Sequence, residues 1–97
     1  MRDIYAYRQV AVQSRSVDGI VQIRPMPGQA FSSTLSVQCA RRLREQYPVG
    51  TCFLLLAKLT DRLGGTPFLY AYHGDPDVLL SASAAKAFLA EFRRGRI

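Results

Sequence analysis

The chain has little of what metal and cofactor chemistry require. It carries one histidine, His73, and two cysteines, Cys39 and Cys52, in 97 residues. These three residues cannot form a CxxC-type ligand set, so no metal site is expected. Each cysteine sits among apolar neighbours, which favours buried free thiols over a disulfide. The sequence contains no P-loop, GxGxxG, GxSxG or HExxH pattern, so no cofactor is expected. Long hydrophobic runs are also missing. The longest, Cys52 to Ala57, is far too short to cross a bilayer, so no membrane partner is expected. Met1 to Tyr5 begins a strand-like pattern without an apolar h-region. No secretory signal is expected on that ground, and a cytoplasmic location follows as the default.

Apolar residues make up 48% of the chain and are spread along its whole length. That pattern argues against disorder and for one domain spanning residues 1–97. A domain of this size buries roughly two thirds of the surface of its unfolded chain, enough for one ordinary core. The formal net charge is +6, and arginine greatly outnumbers lysine, which occurs only at Lys58 and Lys86. Guanidinium groups suit bidentate phosphate contacts and stacking on bases. A GC-rich genome would also enrich arginine, so charge alone bears on association and not on fold.

Ile4 to Val12 alternates as a strand, with Ala6, Arg8, Val10 and Val12 on one face. Ser14 to Gly19 is turn chemistry, with Asp18-Gly19 suited to positive φ. Ile20 to Arg24 returns as a second strand, making an antiparallel hairpin. Pro25-Met26-Pro27-Gly28 breaks that strand. Leu35, Cys39, Ala40, Leu43 and Tyr47 then fall on one side of a helix of three to four turns, with Val37 as the apolar intruder. Ser32, Ser33 and Thr34 are its candidate caps, and Pro48 ends it. Val49 to Thr60 is apolar on both faces and predicts a central strand. A loop at Asp61 to Gly65 leads to a returning strand over Thr66 to His73. Val78 to Leu80 is a short further strand. A last helix, capped by Ser81 or Ser83, runs to about Arg94 with Ala85, Phe88, Leu89 and Phe92 on its apolar face.

The fold class is therefore α+β: a bent antiparallel sheet in the order β-β-α-β-β-(β)-α, with two helices packed on it, or a partial barrel. The RNA-recognition motif runs strand, helix, strand, strand, helix, strand. Here a hairpin is added, the final strand is missing and the aromatic signature is absent, so no residue role carries over.

The candidate nucleic-acid-binding residues are Arg41, Arg42 and Arg44 on the expected helix, with Arg8, Tyr5 and Tyr7 on the first strand. Three guanidinium groups on one stripe could track a phosphate backbone. Exposed tyrosines on a sheet are stacking platforms for bases. The bland alternatives are a solvated helix surface, with Arg41 pairing Glu45, and cross-strand packing of the tyrosines. Phe68, Tyr70 and Tyr72 share a further strand face, and packing is the expected use of that set. His73, Asp75 and Asp77 have the spacing of a turn, and no catalytic residue is assigned. The basic C-terminus, Arg93 to Ile97, fits a frayed helix end.

These residues favour a small, basic, non-catalytic accessory protein that binds DNA or RNA through an arginine-rich helix face and the N-terminal hairpin. A protein-interaction module or homodimer subunit is the alternative. A small metal-independent ribonuclease using Arg62, Tyr70, Tyr72 and His73 is the second.

Overall fold

The computed structural model describes residues 7–61 and 65–93. The elements are β1 (Arg8–Val17), β2 (Ile20–Pro25), β3 (Val37–Gln38), α1 (Arg42–Glu45), β4 (Cys52–Thr60), β5 (Phe68–Ala71), β6 (Leu79–Leu80) and α2 (Ala82–Arg93). Together they make a mixed α+β domain whose six-stranded sheet curls into a barrel with one open seam.

The expected hairpin forms, with Val17 opposite Ile20. Its turn is tight because Asp18 (φ 53°) and Gly19 (φ 79°) both take positive φ, the geometry that matches the twist of paired strands. β1 consequently runs on to Val17, through residues expected to turn at Ser14.

β4 lies at the centre of the sheet. β1 pairs antiparallel with it along one edge, Gln13 opposite Cys52 and Arg8 opposite Ala57. Its other edge is shared. β5 takes the end from Ala57 to Thr60, and β6 takes Cys52 and Phe53. Between them the chain leaves the sheet over residues 72–78 and rejoins it where Leu54 N donates to Val78 O at 2.9 Å.

The expected three-turn helix is not what forms. Val37–Gln38 is a strand pairing in parallel with β5, and the helix shrinks to the four residues of α1. The cause is a second periodicity in the same residues. Leu35 and Val37 pack on the core and Cys39 is part of it, while Ser36 and Gln38 are exposed. That is strand alternation, and Val37, the intruder on the helical wheel, belongs to it. Ser36 O accepts from Leu69 N at 2.9 Å. Helical spacing starts only at Ala40 and continues through Leu43 and Tyr47. The serines expected to cap a helix form a local turn instead, with Thr34 N donating to Ser32 Oγ at 3.2 Å.

The strand order is β2-β1-β4-β5-β3. β3 therefore comes round to β2 without a ladder between them, leaving the seam. Arg24 of β2 bridges it, its guanidinium donating to Thr34 O and to Gln22 Oε1. Val10, Val12, Ile23, Phe53, Leu55, Ala57, Leu69 and Ala71 fill the interior, with Cys39, Ala40 and Leu43 added from the segment around α1. Tyr47 meets the Phe53 ring edge-on at 5.2 Å.

Two side chains complete backbone pairing where strands stop short. β2 has ended by the level of Ala11. There the Gln29 carboxamide takes the Ala11 N–H (3.1 Å) and donates to Ala11 O (2.7 Å), as a neighbouring strand would. Past Gln13, β1 loses β4 as a neighbour. Ser14 N then donates to Thr51 O, and Gly50 N donates to Ser14 O and Ser14 Oγ. Gly50 reaches this position at φ 100°.

α2 packs against β1 and β6. Ser81 caps it, its Oγ accepting from Ala84 N at 3.1 Å, and Ala85 is its buried residue. Among the described residues no helix is long and apolar enough to cross a membrane.

Candidate functional site

The structure separates the sequence-derived candidates. Arg41 and Arg44 lie exposed on α1, and Arg8 lies exposed at the start of β1. β4 and β5 stand between β1 and the β3 edge from which α1 continues. Tyr7 is half-buried just ahead of β1. Tyr5 falls outside the described residues, as do Arg62, Arg2, the start of the expected first strand, the tip of the 61–65 loop and residues 94–97 of the basic tail. α1 touches β2, but Arg24, which would link the two basic groups, is turned across the seam.

Arg42 is half-buried, and its guanidinium is committed within the molecule. Nε donates to Asp77 Oδ1 at 2.7 Å, NH2 to Asp75 O at 2.8 Å and NH1 to His73 O at 3.2 Å. Tyr47 OH donates to Asp77 Oδ2 at 3.0 Å. One planar fork thus holds the whole 72–78 excursion, which bidentate guanidinium geometry permits and a lysine would not. The hydrogen bond to Asp77 raises the Tyr47 pKa above the ordinary phenol value, with burial and the aspartate charge adding to it and Arg42 opposing. The sequence showed His73, Asp75 and Asp77 as turn residues. It gave no sign that an arginine 35 positions away was their partner.

The arrangement that strand register creates is more informative. On β5, Leu69 and Ala71 enter the core, so Tyr70 faces outward; on β4, Ala57 enters it, so Lys58 faces outward. Lys58 is directly opposite Tyr70, and Tyr70 is directly opposite Gln38. On the far side, Lys58 Nζ lies 5.6 Å from the Tyr7 ring centroid. The outer face therefore carries a row Gln38–Tyr70–Lys58–Tyr7 across four neighbouring chain segments. At a strand spacing of about 4.8 Å the row is roughly 14 Å long. His73 stacks on Tyr70, with ring centroids 5.9 Å apart and planes at 27°.

Beside the Gln38 end, Val37, Gln38, Cys39, Arg44 and His73 line an open hollow of about 360 Å³. The Cys39 thiol there is held largely protonated. Burial pushes it up to about 11, against the opposing pull of Arg44 and Arg42. Of the Phe68, Tyr70 and Tyr72 face, Phe68 is buried, Tyr70 is half-buried and Tyr72 is 51% exposed. Its ring lies over Gly74, where a Cβ would stand 2.5 Å from Tyr72 Cε2.

This arrangement sets aromatic rings beside the cations Lys58 and Arg44. His73 and Tyr70 meet ring to ring. Among the described residues, no group of three or more histidine, cysteine or acidic side chains could hold a metal ion. No family model matches the chain, and no curated protein or solved structure matches it.

Proposed function

We propose that this protein is a non-catalytic nucleic-acid-binding domain whose interface is the outer row Gln38–Tyr70–Lys58–Tyr7, with His73, Arg44 and Arg41 beside it. The observation that carries this reading is the alternation of aromatic and cationic side chains across the strands, with Lys58 between Tyr70 and Tyr7. Stacking on an aromatic ring is worth about 1–3 kcal/mol per base and tolerates any sequence. Cations between the rings neutralise phosphates, which supplies most non-specific affinity. The reading keeps Arg41, Arg44 and Tyr7 from the sequence and adds Lys58, Tyr70 and His73. It gives Arg42 the task of holding the loop that carries His73. A cytoplasmic setting is part of the same proposal.

The test is a salt series of fluorescence anisotropy titrations with labelled single-stranded DNA, duplex DNA and RNA. Affinity should fall as salt rises. Lys58→Gln with Arg44→Gln should flatten the log–log slope by about 2, one for each phosphate contact removed. Tyr70→Leu should cost about tenfold in affinity and leave the slope unchanged. Absence of binding at low salt would overturn the proposal and direct attention to protein partners.

A further inference from the structure

The Tyr7 end of the row opens into a cavity of about 420 Å³, lined by Tyr7, Phe31, Phe88 and Phe92 together with Leu56 and the segment Arg8-Gln9. Four parts of the chain build it: α2, the loop after β2, the start of β1 and Leu56 of β4. Its size falls within the range of about 300–1,000 Å³ typical of small-ligand pockets. Phe31 packs against the core, while the other apolar walls lie outside that cluster. Leu56 is 45% exposed, and Phe31, Phe88 and Phe92 are each half-buried.

The polar groups at this cavity divide into two kinds. The Gln29 carboxamide is spent on Ala11 N, Ala11 O and Met26 O. Gln9 lies opposite Leu56 on the cavity side of β1 and is exposed, and its side chain has no hydrogen-bond partner among the described residues; Arg8, opposite the buried Ala57, alternates to the other face. A set of aromatic walls with an unpaired carboxamide, and the Lys58 ammonium beside the Tyr7 ring, fits a planar aromatic group that carries a phosphate and a hydrogen-bonding edge. An acyl chain would use neither polar group.

We infer that this cavity receives one unpaired nucleobase of a single-stranded nucleic acid lying on the outer row. The base stacks among Tyr7, Phe31, Phe88 and Phe92, its edge meets the Gln9 carboxamide, and the adjoining phosphate lies toward Lys58, whose Nζ is 5.6 Å from the Tyr7 ring centroid. Tyr7 belongs both to the row and to the cavity, so a strand crossing Tyr70 and Lys58 arrives at the cavity mouth. The inference rests on the nucleic-acid reading above. It also selects the ligand. A base in a duplex must be unstacked and unpaired to enter, at a cost of a few kcal/mol, whereas a single strand is spared most of that cost.

The experiment uses the full chain and a labelled thymidine octamer carrying one 2-aminopurine, moved along the oligomer. Anisotropy reads affinity, and 2-aminopurine emission reads entry into the cavity. One position of the probe should show a much larger emission change than the others. Leu56→Trp, which fills the cavity from an exposed strand position, should abolish that change and weaken binding about tenfold. Phe88→Leu should do the same in smaller measure, and it serves if the tryptophan variant does not fold. The matching duplex should bind at least tenfold more weakly than the single strand. If the octamer binds but both variants leave its affinity and emission unchanged, the cavity is not a base site and the nucleic-acid reading stands. If no oligonucleotide binds the wild-type chain at low salt, both fall together.

Discussion

Replacing Arg42 by methionine keeps most of the side chain's apolar length and removes its five donors. Three acceptors lose the guanidinium: the Asp77 carboxylate, which keeps Tyr47 OH, and the carbonyls of His73 and Asp75. The Arg42 and Asp77 side chains are 36% and 18% exposed, so the pair is neither fully screened nor fully desolvated. A charge-assisted bond in that setting contributes about 1–2 kcal/mol, and each carbonyl bond, which water can partly replace, about 0.5 kcal/mol. The expected loss is therefore about 2–3 kcal/mol, a large fraction of the roughly 5–15 kcal/mol that holds a small domain folded. Thermal unfolding should shift down by about 10–20 °C. Urea denaturation followed by far-UV circular dichroism measures this directly. Arg42→Lys should recover less than half of the loss, because an ammonium cannot span acceptors laid out for a planar fork. A loss below about 0.5 kcal/mol for Arg42→Met would refute the view that this residue fastens the excursion.

Gln29→Leu should destabilise by about 2–3 kcal/mol, because it leaves Ala11 N–H without its partner beside a buried strand; amide exchange at Ala11 should accelerate in step. Cys39 should react with a thiol reagent at pH 8 about a hundredfold more slowly than the same thiol in urea, because burial raises its pKa from 9.0 to about 11 and thins the thiolate accordingly. Tyr47 should ionise above the usual phenol range in a titration followed near 295 nm. Because its neutral form is favoured in the folded state, its contribution to stability is complete below the unfolded phenol pKa and disappears as pH rises through the raised one. Tyr47→Phe should remove that part of the alkaline loss.

Local chemistry made some elements legible in the sequence. Asp18-Gly19 marks the hairpin turn, although the strand before it runs on to Val17; the run from Cys52 to Ala57 is apolar on both faces; and Ser81 or Ser83 precedes a helical stripe containing Ala85 and Phe88. The segment from Leu35 to Tyr47 satisfies two periods at once. Its division into β3 and α1 depends on the open edge of β5, a non-local partner that propensity cannot reveal. The same dependence hid most of the candidate site. Tyr70 and Lys58 are twelve residues apart and become neighbours only through register. Tyr7 joins them because β1 pairs with the opposite edge of β4. Arg42 looked like a surface cation on a helix stripe. With the helix reduced to four residues, its guanidinium meets Asp77, and sequence separation concealed that pairing.

The most direct test of the outer row is a titration of the isotopically labelled protein with a short single-stranded oligonucleotide, followed by amide chemical shifts. The account expects the largest shifts at Gln38, Lys58, Tyr70 and His73, with small shifts at the hairpin tip around Asp18. Shifts centred on the hairpin tip, or none at saturating oligonucleotide and low salt, would contradict it.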